Sequence, residues 1–252
     1  MSHPNPDTLV AVSAYAGDLN QVQNNMQFYT HHGCPVVILS PTDSPITGLG
    51  SRDVVCRQAG LKGWIGAHTL TRQVEFLKIL LEYPKNFYLF NDADSICLTG
   101  KIPQYLYEGG DVIWSNEVPD LNPGHSYLPK LALQPPYFLT RKTIIGMIKA
   151  AQNPPPSYTC PGPTTSPEGT LMPVPTDCID HYMLQLAHGS GYAHKNFLDG
   201  ASFETASKLG LETMSGLVSN HGRVMIHQVK TRIVLRTLHA ARMQYVRTHH
   251  RN

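Results

Sequence analysis

The sequence predicts an α/β fold in which a mostly parallel central sheet is flanked by helices. Two observations carry this prediction. Short apolar runs of strand length alternate with segments whose apolar residues recur at helical spacing. The runs are also continuously apolar, which is typical of parallel strands buried on both faces. We therefore expect one domain over residues 1–230, followed by a basic amphipathic helix or linker over residues 231–252.

The first half alternates strand and helix signals. Asp18 is suited to N-cap a helix, because its carboxylate accepts backbone N–H groups, and Gly33 is suited to end that helix. The predicted elements are a strand at residues 9–15, a helix from 18 to about 31, a strand at 35–40, a short strand or turn at 63–68, a helix at 71–83 and a strand at 87–90.

The second half is less regular. The predicted elements are strands at residues 111–118 and 135–140, a helix at 141–151, a Pro-rich loop at 153–175, a helix beginning near 177 and a basic helix near 231–247. The loop prediction follows from its prolines, which cannot donate a backbone hydrogen bond. No internal repeat is present in the sequence.

The charge and cysteine patterns limit the classes of function. Six of the 20 Lys/Arg and no Asp/Glu lie from Lys230 to Asn252, so the body carries a net charge of −4. Such a tail indicates a linker helix, an interaction arm or a membrane-surface contact, not a nucleic-acid-binding domain.

The five cysteines are widely spaced and typical of reduced thiols. With no signal-peptide pattern and no apolar stretch of about 20 residues, we expect a soluble cytoplasmic protein without a transmembrane segment.

Two carboxylates one residue apart follow the apolar run at 87–90. Ligands of parallel sheets bind beyond the carboxyl ends of the strands, where Asp92 and Asp94 are predicted to lie. Carboxylate oxygens suit Mg²⁺ or Mn²⁺, and these cations bind phosphates. The pair therefore predicts a divalent cation holding a diphosphate, and a simple Asx-turn that caps the strand is the alternative.

The order of these motifs resembles the GT-A nucleotide-sugar glycosyltransferases, whose sheet is Rossmann-like. The resemblance covers about residues 9–230 and rests on two β/α units, a helix and an apolar strand before the D-x-D. It implies transfer of a hexose-type sugar from a UDP-sugar donor to a hydroxyl of a glycan or glycoprotein acceptor, with Mn²⁺ or Mg²⁺. The layout is also similar to small soluble glycosyltransferase domains of large algal DNA viruses and bacteria. That implies host cytoplasm if the chain is viral, and further domains if it is part of a longer polypeptide.

The resemblance assigns the donor side to the first half. Ser13, Ala14 and Tyr15 end the first strand, where the family contacts base and ribose, and Asp43 follows the second strand. Arg72 opens the helix before the D-x-D strand, from which an Arg reaches the donor's ribose or phosphates in the family. Core packing remains the alternative for Tyr15, and a solvated surface position the alternative for Arg72.

The resemblance assigns the metal and leaving-group roles to both halves. Asp94 is implied as the main metal ligand, Asp92 as a bridge between metal and ribose, and His227 as the third ligand. Lys230 is implied to neutralise the diphosphate, whose negative charge grows in the transition state.

The base and the sugar pocket are implied in the same way. Asp177, or failing that Asp180, would deprotonate the acceptor hydroxyl, which favours inversion at the anomeric carbon. Helix capping is the alternative for both residues. Trp114, Asn116 and Glu117 follow a strand and would line the sugar pocket, and the Pro-rich loop would cover the acceptor site. Core packing is the alternative for Trp114.

Two other classes remain open. The stretch 87–100 also looks like the haloacid-dehalogenase phosphatase signature, with Asp92 as nucleophile and Asp94 as acid/base. In that class the motif normally ends the first strand, whereas here at least two predicted strands precede it. The second alternative is a nucleotide-sugar-binding module without turnover.

Overall fold

A seven-stranded sheet organises the part of the chain described by the computed structural model, which comprises residues 7–23, 34–49, 54–63, 67–93, 96–97, 102–119, 131–152, 163–165, 171–173, 179–197 and 225–226. The strands lie in the spatial order β10 (Ala193–Asn196), β6 (Val112–Pro119), β7 (Leu131–Thr140), β4 (Phe87–Asp92), β1 (Thr8–Ser13), β2 (Val36–Ser40) and β3 (Val54–Gln58). Only β7 runs antiparallel to its neighbours in this sheet. The predicted mostly parallel α/β sheet is confirmed.

Two further pairs of short strands lie outside this sheet. β5 (Ile96–Cys97) pairs antiparallel with β11 (Met225–Ile226), and β8 (Pro163–Thr165) pairs antiparallel with β9 (Leu171–Pro173). The first pair joins the segment that follows the acidic motif to a segment close to the end of the predicted domain.

Helices cover both faces of the central sheet. A 3₁₀ turn at Ala16–Asp18 leads into α1, described over residues 19–23, and the other helices are α2 (Ala67–Leu81), α3 (Gln104–Glu108), α4 (Arg141–Gln152) and α5 (Ile179–Gly189). Alternation along β1 separates two cores: Leu9 packs with side chains of α2, α4 and α5, whereas Val10 packs with Val22 and Leu106. No helix among the described residues has both the length and the apolar character needed to cross a membrane.

The structure corrects several features of the predicted element list. It adds β3, α3 and β10, which the sequence pattern missed, and it extends β7 four residues before Pro135. α2 begins at Ala67, so the end of the short strand or turn predicted at residues 63–68 is helical. β8 and β9 lie within residues 153–175, which were predicted to be loop alone. Asp18 is not the N-cap of a helix: it ends the 3₁₀ turn, and its Oδ2 accepts the backbone N–H of Tyr15 at 2.9 Å. The predicted basic helix over residues 231–252 lies outside the described residues.

Gly146 allows α4 to pack closely on the segment before β10. A Cβ at this position would lie 2.7 Å from Cε2 of Tyr192 and 2.9 Å from the carbonyl oxygen of Ser190. We expect Gly146→Ala to lower the free energy of unfolding by about 1–3 kcal/mol through overpacking, although Ala is the better helix former. Urea denaturation measures this change.

The adjacent position supplies the control for this prediction. Ile145 is 38% exposed on the same helix, so Ile145→Ala should change the free energy of unfolding by less than about 1 kcal/mol. A Gly146→Ala variant as stable as the parent protein would contradict the close packing.

Candidate functional site

The carboxyl ends of β1 and β4 meet where the sheet order reverses. From β1 the chain proceeds outward to β2 and β3, then returns to the other side of β1 as β4. Ser13 lies opposite Asp92, and the backbone N–H of Ala93 donates to the carbonyl oxygen of Ser13 at 2.9 Å. Such a reversal leaves a crevice beyond the strand ends, which is the usual ligand site of an open α/β sheet.

Asp92 and Tyr15 share one electrostatic environment at this crevice. Burial raises the pKa of the Tyr15 phenol above its ordinary value; Arg72 opposes this rise, and the carboxylate of Asp92 adds to it. The phenol is protonated near neutral pH, and its Oη donates a hydrogen bond to the carbonyl oxygen of Gly63 at 3.0 Å. Tyr15 therefore joins the end of β1 to the segment after β3.

Residues 60–63, here called the strap, cross the same edge of the sheet. The backbone N–H of Thr42 donates to the carbonyl oxygen of Gly60 at 2.9 Å. The backbone N–H of Lys62 donates to Oδ1 of Asp43 at 2.7 Å. With the bond from Tyr15, these contacts fix the strap to the segments that follow β1 and β2. Asp43 thus lies where the sequence predicted a donor contact, and it holds the strap there.

Arg72 is buried and binds two carbonyl groups of the strap. It is 1% exposed, and its guanidinium donates from Nη1 to the carbonyl oxygen of Leu61 and from Nη2 to that of Gly63. Its Nε has no hydrogen-bond partner among the described residues. The sequence placed Arg72 at the opening of a helix, but α2 begins at Ala67, so Arg72 lies in the second turn. The alternative of a solvated surface position is also wrong.

The strap and its lysine, Lys62, were not predicted from the sequence. The Nζ of Lys62 lies 5.1 Å from the centroid of the Tyr15 ring, and the Lys62 side chain is exposed. Two glycines, Gly60 and Gly63, bracket Leu61 and Lys62 shortly after a strand, and that spacing is a recognisable turn signal. Because β3 was not predicted, the two glycines were not recognised as a turn that follows a strand.

The predicted sugar pocket is only partly described. Trp114 is 3% exposed, and its ring packs edge-on against Tyr105 with centroids 5.3 Å apart and closely over Gly109. The structure therefore places Trp114 in the core, and stacking on a sugar would require its ring to be uncovered. Asn116 and Glu117 lie on β6, opposite residues of β7. The structure describes the backbone of these two residues and not their side chains.

Most of the predicted metal and catalytic residues also lie outside the described residues. These are Asp94, Asp177, His227 and Lys230, while Asp180 is described only as the second residue of α5. Within the described ranges, no group of three potential metal ligands is assembled. The pairing of Ile226 with Ile96 nevertheless joins the segment before His227 to the segment after Asp94.

Comparison with known proteins gives structural similarities only. No family model matches the chain, and no curated protein matches it. A glycosyltransferase involved in the glycosylation of the major capsid of PBCV-1 is similar at a TM-score of 0.48 and 10% identity, over 93% of this chain and 100% of that one. Two structures of the glycosyltransferase GlyE of Streptococcus pneumoniae are similar at TM-scores of 0.46 and 0.47 and 10% identity. They cover 96% and 97% of this chain, which spans 63% and 64% of their length.

The strap depends on the absence of a side chain at Gly60. Its φ is +63°, and a Cβ there would lie 2.6 Å from Cβ of Arg72. Gly48 also has a positive φ, +82°, but a Cβ there would meet nothing within 4 Å. We expect Gly48→Ala to cost about 1–2 kcal/mol from backbone strain, and Gly60→Ala to cost a further 1–3 kcal/mol, roughly, from overpacking. Chemical denaturation of both variants measures the difference, and equal costs would contradict the strap contact.

Proposed function

We propose that the protein is a metal-dependent glycosyltransferase that moves a hexose-type sugar from a UDP-sugar to a glycan or glycoprotein hydroxyl. The observation that carries this proposal is the pairing of β11 with β5. His227 directly follows Ile226, and Asp94 lies two residues before Ile96, so each is near a paired position along the chain. The pairing supports one site that combines the acidic motif with a distant histidine.

The donor atoms offered at this site fit a divalent cation. Asp92 ends β4 at the sheet reversal and is partly buried, and a second carboxylate follows two residues later at Asp94. Carboxylate oxygens with one imidazole from His227 suit Mn²⁺, or Mg²⁺ where oxygen dominates. Bound there, the cation supplies positive charge to the donor's diphosphate.

The nucleoside has a fitting place beside the metal ligands. Ser13 ends β1, Ala14 and Tyr15 follow it directly, and Asp43 holds an exposed carboxylate after β2. A carboxylate at a strand end is suited to accept hydrogen bonds from ribose hydroxyls. These residues support a nucleotide on the β1 to β3 side of Asp92, with the sugar directed toward β6.

The proposed base is Asp177, which precedes α5 by two residues in the sequence, or Asp180, the second residue of α5. Asp177, or Asp180, takes the proton of the acceptor hydroxyl, whose oxygen then bonds to the anomeric carbon. The bond from that carbon to the diphosphate oxygen breaks, and the charge of Lys230 stabilises the leaving group. Attack from the face opposite the leaving group inverts the anomeric configuration. NMR of the product should show inversion, and retained configuration would count against the base.

A thermal-shift experiment tests the donor and the metal together. UDP-sugar with Mn²⁺ should stabilise the protein by about 2.7 kcal/mol at 100 times the dissociation constant, and Asp92→Asn should abolish the metal-dependent part. Glu75→Gln, which alters an exposed carboxylate on α2, is the control and should keep the shift.

Two outcomes would contradict the proposal. One is the absence of any metal-dependent shift together with hydrolysis of phosphate esters, which would favour the phosphatase. The other is binding of UDP-sugar with no transfer to any acceptor, which would favour a binding module.

A further inference from the structure

We propose that Lys62 is the cation that the strap offers to the phosphates of the donor, and that Arg72 is a positioning residue that acts through the strap. This inference rests on the proposed function, because it concerns the same nucleotide site. It differs from the sequence prediction, which assigned neutralisation of the diphosphate charge to Lys230 and Arg72.

Arg72 is poorly placed to meet a ligand itself. Its guanidinium is buried, and both terminal nitrogens donate to backbone carbonyl oxygens of the strap, at Leu61 and Gly63. Contact with a phosphate would require the guanidinium, whose residue is only 1% exposed, to leave the core. Burying an arginine is costly unless its donors are bonded, and the carbonyls of Leu61 and Gly63 supply partners for both terminal nitrogens.

Lys62 has the opposite character. Its backbone is fixed, because its N–H donates to Asp43 and its neighbours are bonded to Arg72. Its side chain is exposed, with the ammonium over the Tyr15 ring. A cation over an aromatic ring at an exposed site is stabilised by only about 0.5–1 kcal/mol. The ring therefore orients the ammonium, and the ammonium can still bind a phosphate.

Tyr15 places Lys62 and Asp92 around one location. The Lys62 ammonium lies over the ring, and Tyr15 follows two residues after Ser13, which lies opposite Asp92 in the pairing of β1 with β4. A diphosphate bound there would have the metal ligands on one side and a lysine on the other. This arrangement would neutralise both ends of the anion, as charge-assisted hydrogen bonds to phosphate do elsewhere.

The test compares a ligand that has phosphates with one that lacks them. Calorimetric titration with Mn²⁺ present would measure the affinities of the full chain for UDP and for uridine. Lys62→Gln should weaken UDP binding about tenfold, the usual effect of removing one hydrogen bond to a charged group, and leave uridine binding unchanged. Lys62→Arg should restore most of the UDP affinity. Lys78→Gln, which alters an exposed lysine on α2, is the control and should change neither affinity.

Arg72 is tested by a double-mutant cycle. Arg72→Lys keeps the charge but cannot bond both strap carbonyls, so it should weaken UDP binding and add little to the effect of Lys62→Gln. If Arg72→Lys does not fold, Arg72→Gln, which can donate to only one strap carbonyl, takes its place in the cycle. Effects that multiply would show that Arg72 meets the ligand independently and would overturn its positioning role.

The outcomes separate this inference from the proposed function. UDP affinity unchanged in Lys62→Gln, or equal weakening of UDP and uridine, would overturn the role of Lys62 while leaving the donor site intact. Failure of the unaltered protein to bind UDP with Mn²⁺ would overturn both.

Discussion

The parallel pairing of β1 with β4 is the constraint on which the rest of the site depends. Both strands are buried along most of their length, and the one carboxylate in them, that of Asp92, lies at the end of β4, where burial becomes partial. Because Ser13 lies opposite Asp92, the two ends emerge together at the point where the sheet order reverses. A slip of one residue in this register would turn the Asp92 side chain toward the other core. The register therefore determines the direction of the acidic motif.

The buried guanidinium of Arg72 is the second constraint. Tyr15 links it to the end of β1, and so to the pairing of β1 with β4. The Arg72 side chain lies against the strap, and its two terminal nitrogens donate to the carbonyl oxygens of Leu61 and Gly63. These bonds fix the direction of both carbonyl groups. Tyr15 bonds to the same Gly63 oxygen, so the end of β1 and the strap share one acceptor. A rigid loop formed in this way costs conformational entropy once, on folding. Binding a ligand then requires less further ordering.

The sequence predicted the elements whose apolar residues are continuous, and it failed where burial is partial or a proline intervenes. β1, β2, β4 and α2 have clear patterns, whereas β3 is an edge strand of which only Val54 is buried. Prolines in β7 shortened its predicted length, although the strand continues through them. The candidate site was predictable at Asp92, because a carboxylate at the end of an apolar strand is informative. The strap was not, because its backbone bonds join segments far apart in the chain.

The breadth of the strand edge bears on the size of the ligand. The ends of β3, β2, β1 and β4 are adjacent, and three spacings of about 4.8 Å make an edge roughly 14 Å wide. Polar groups occur along this edge from the strap to Asp92, not at a single strand end. A phosphatase that uses Asp92 as a nucleophile needs contacts only around one phosphorus atom. The elongated ligand of the proposed function, with a nucleoside at one end and a metal-bound diphosphate at the other, would extend along the whole edge.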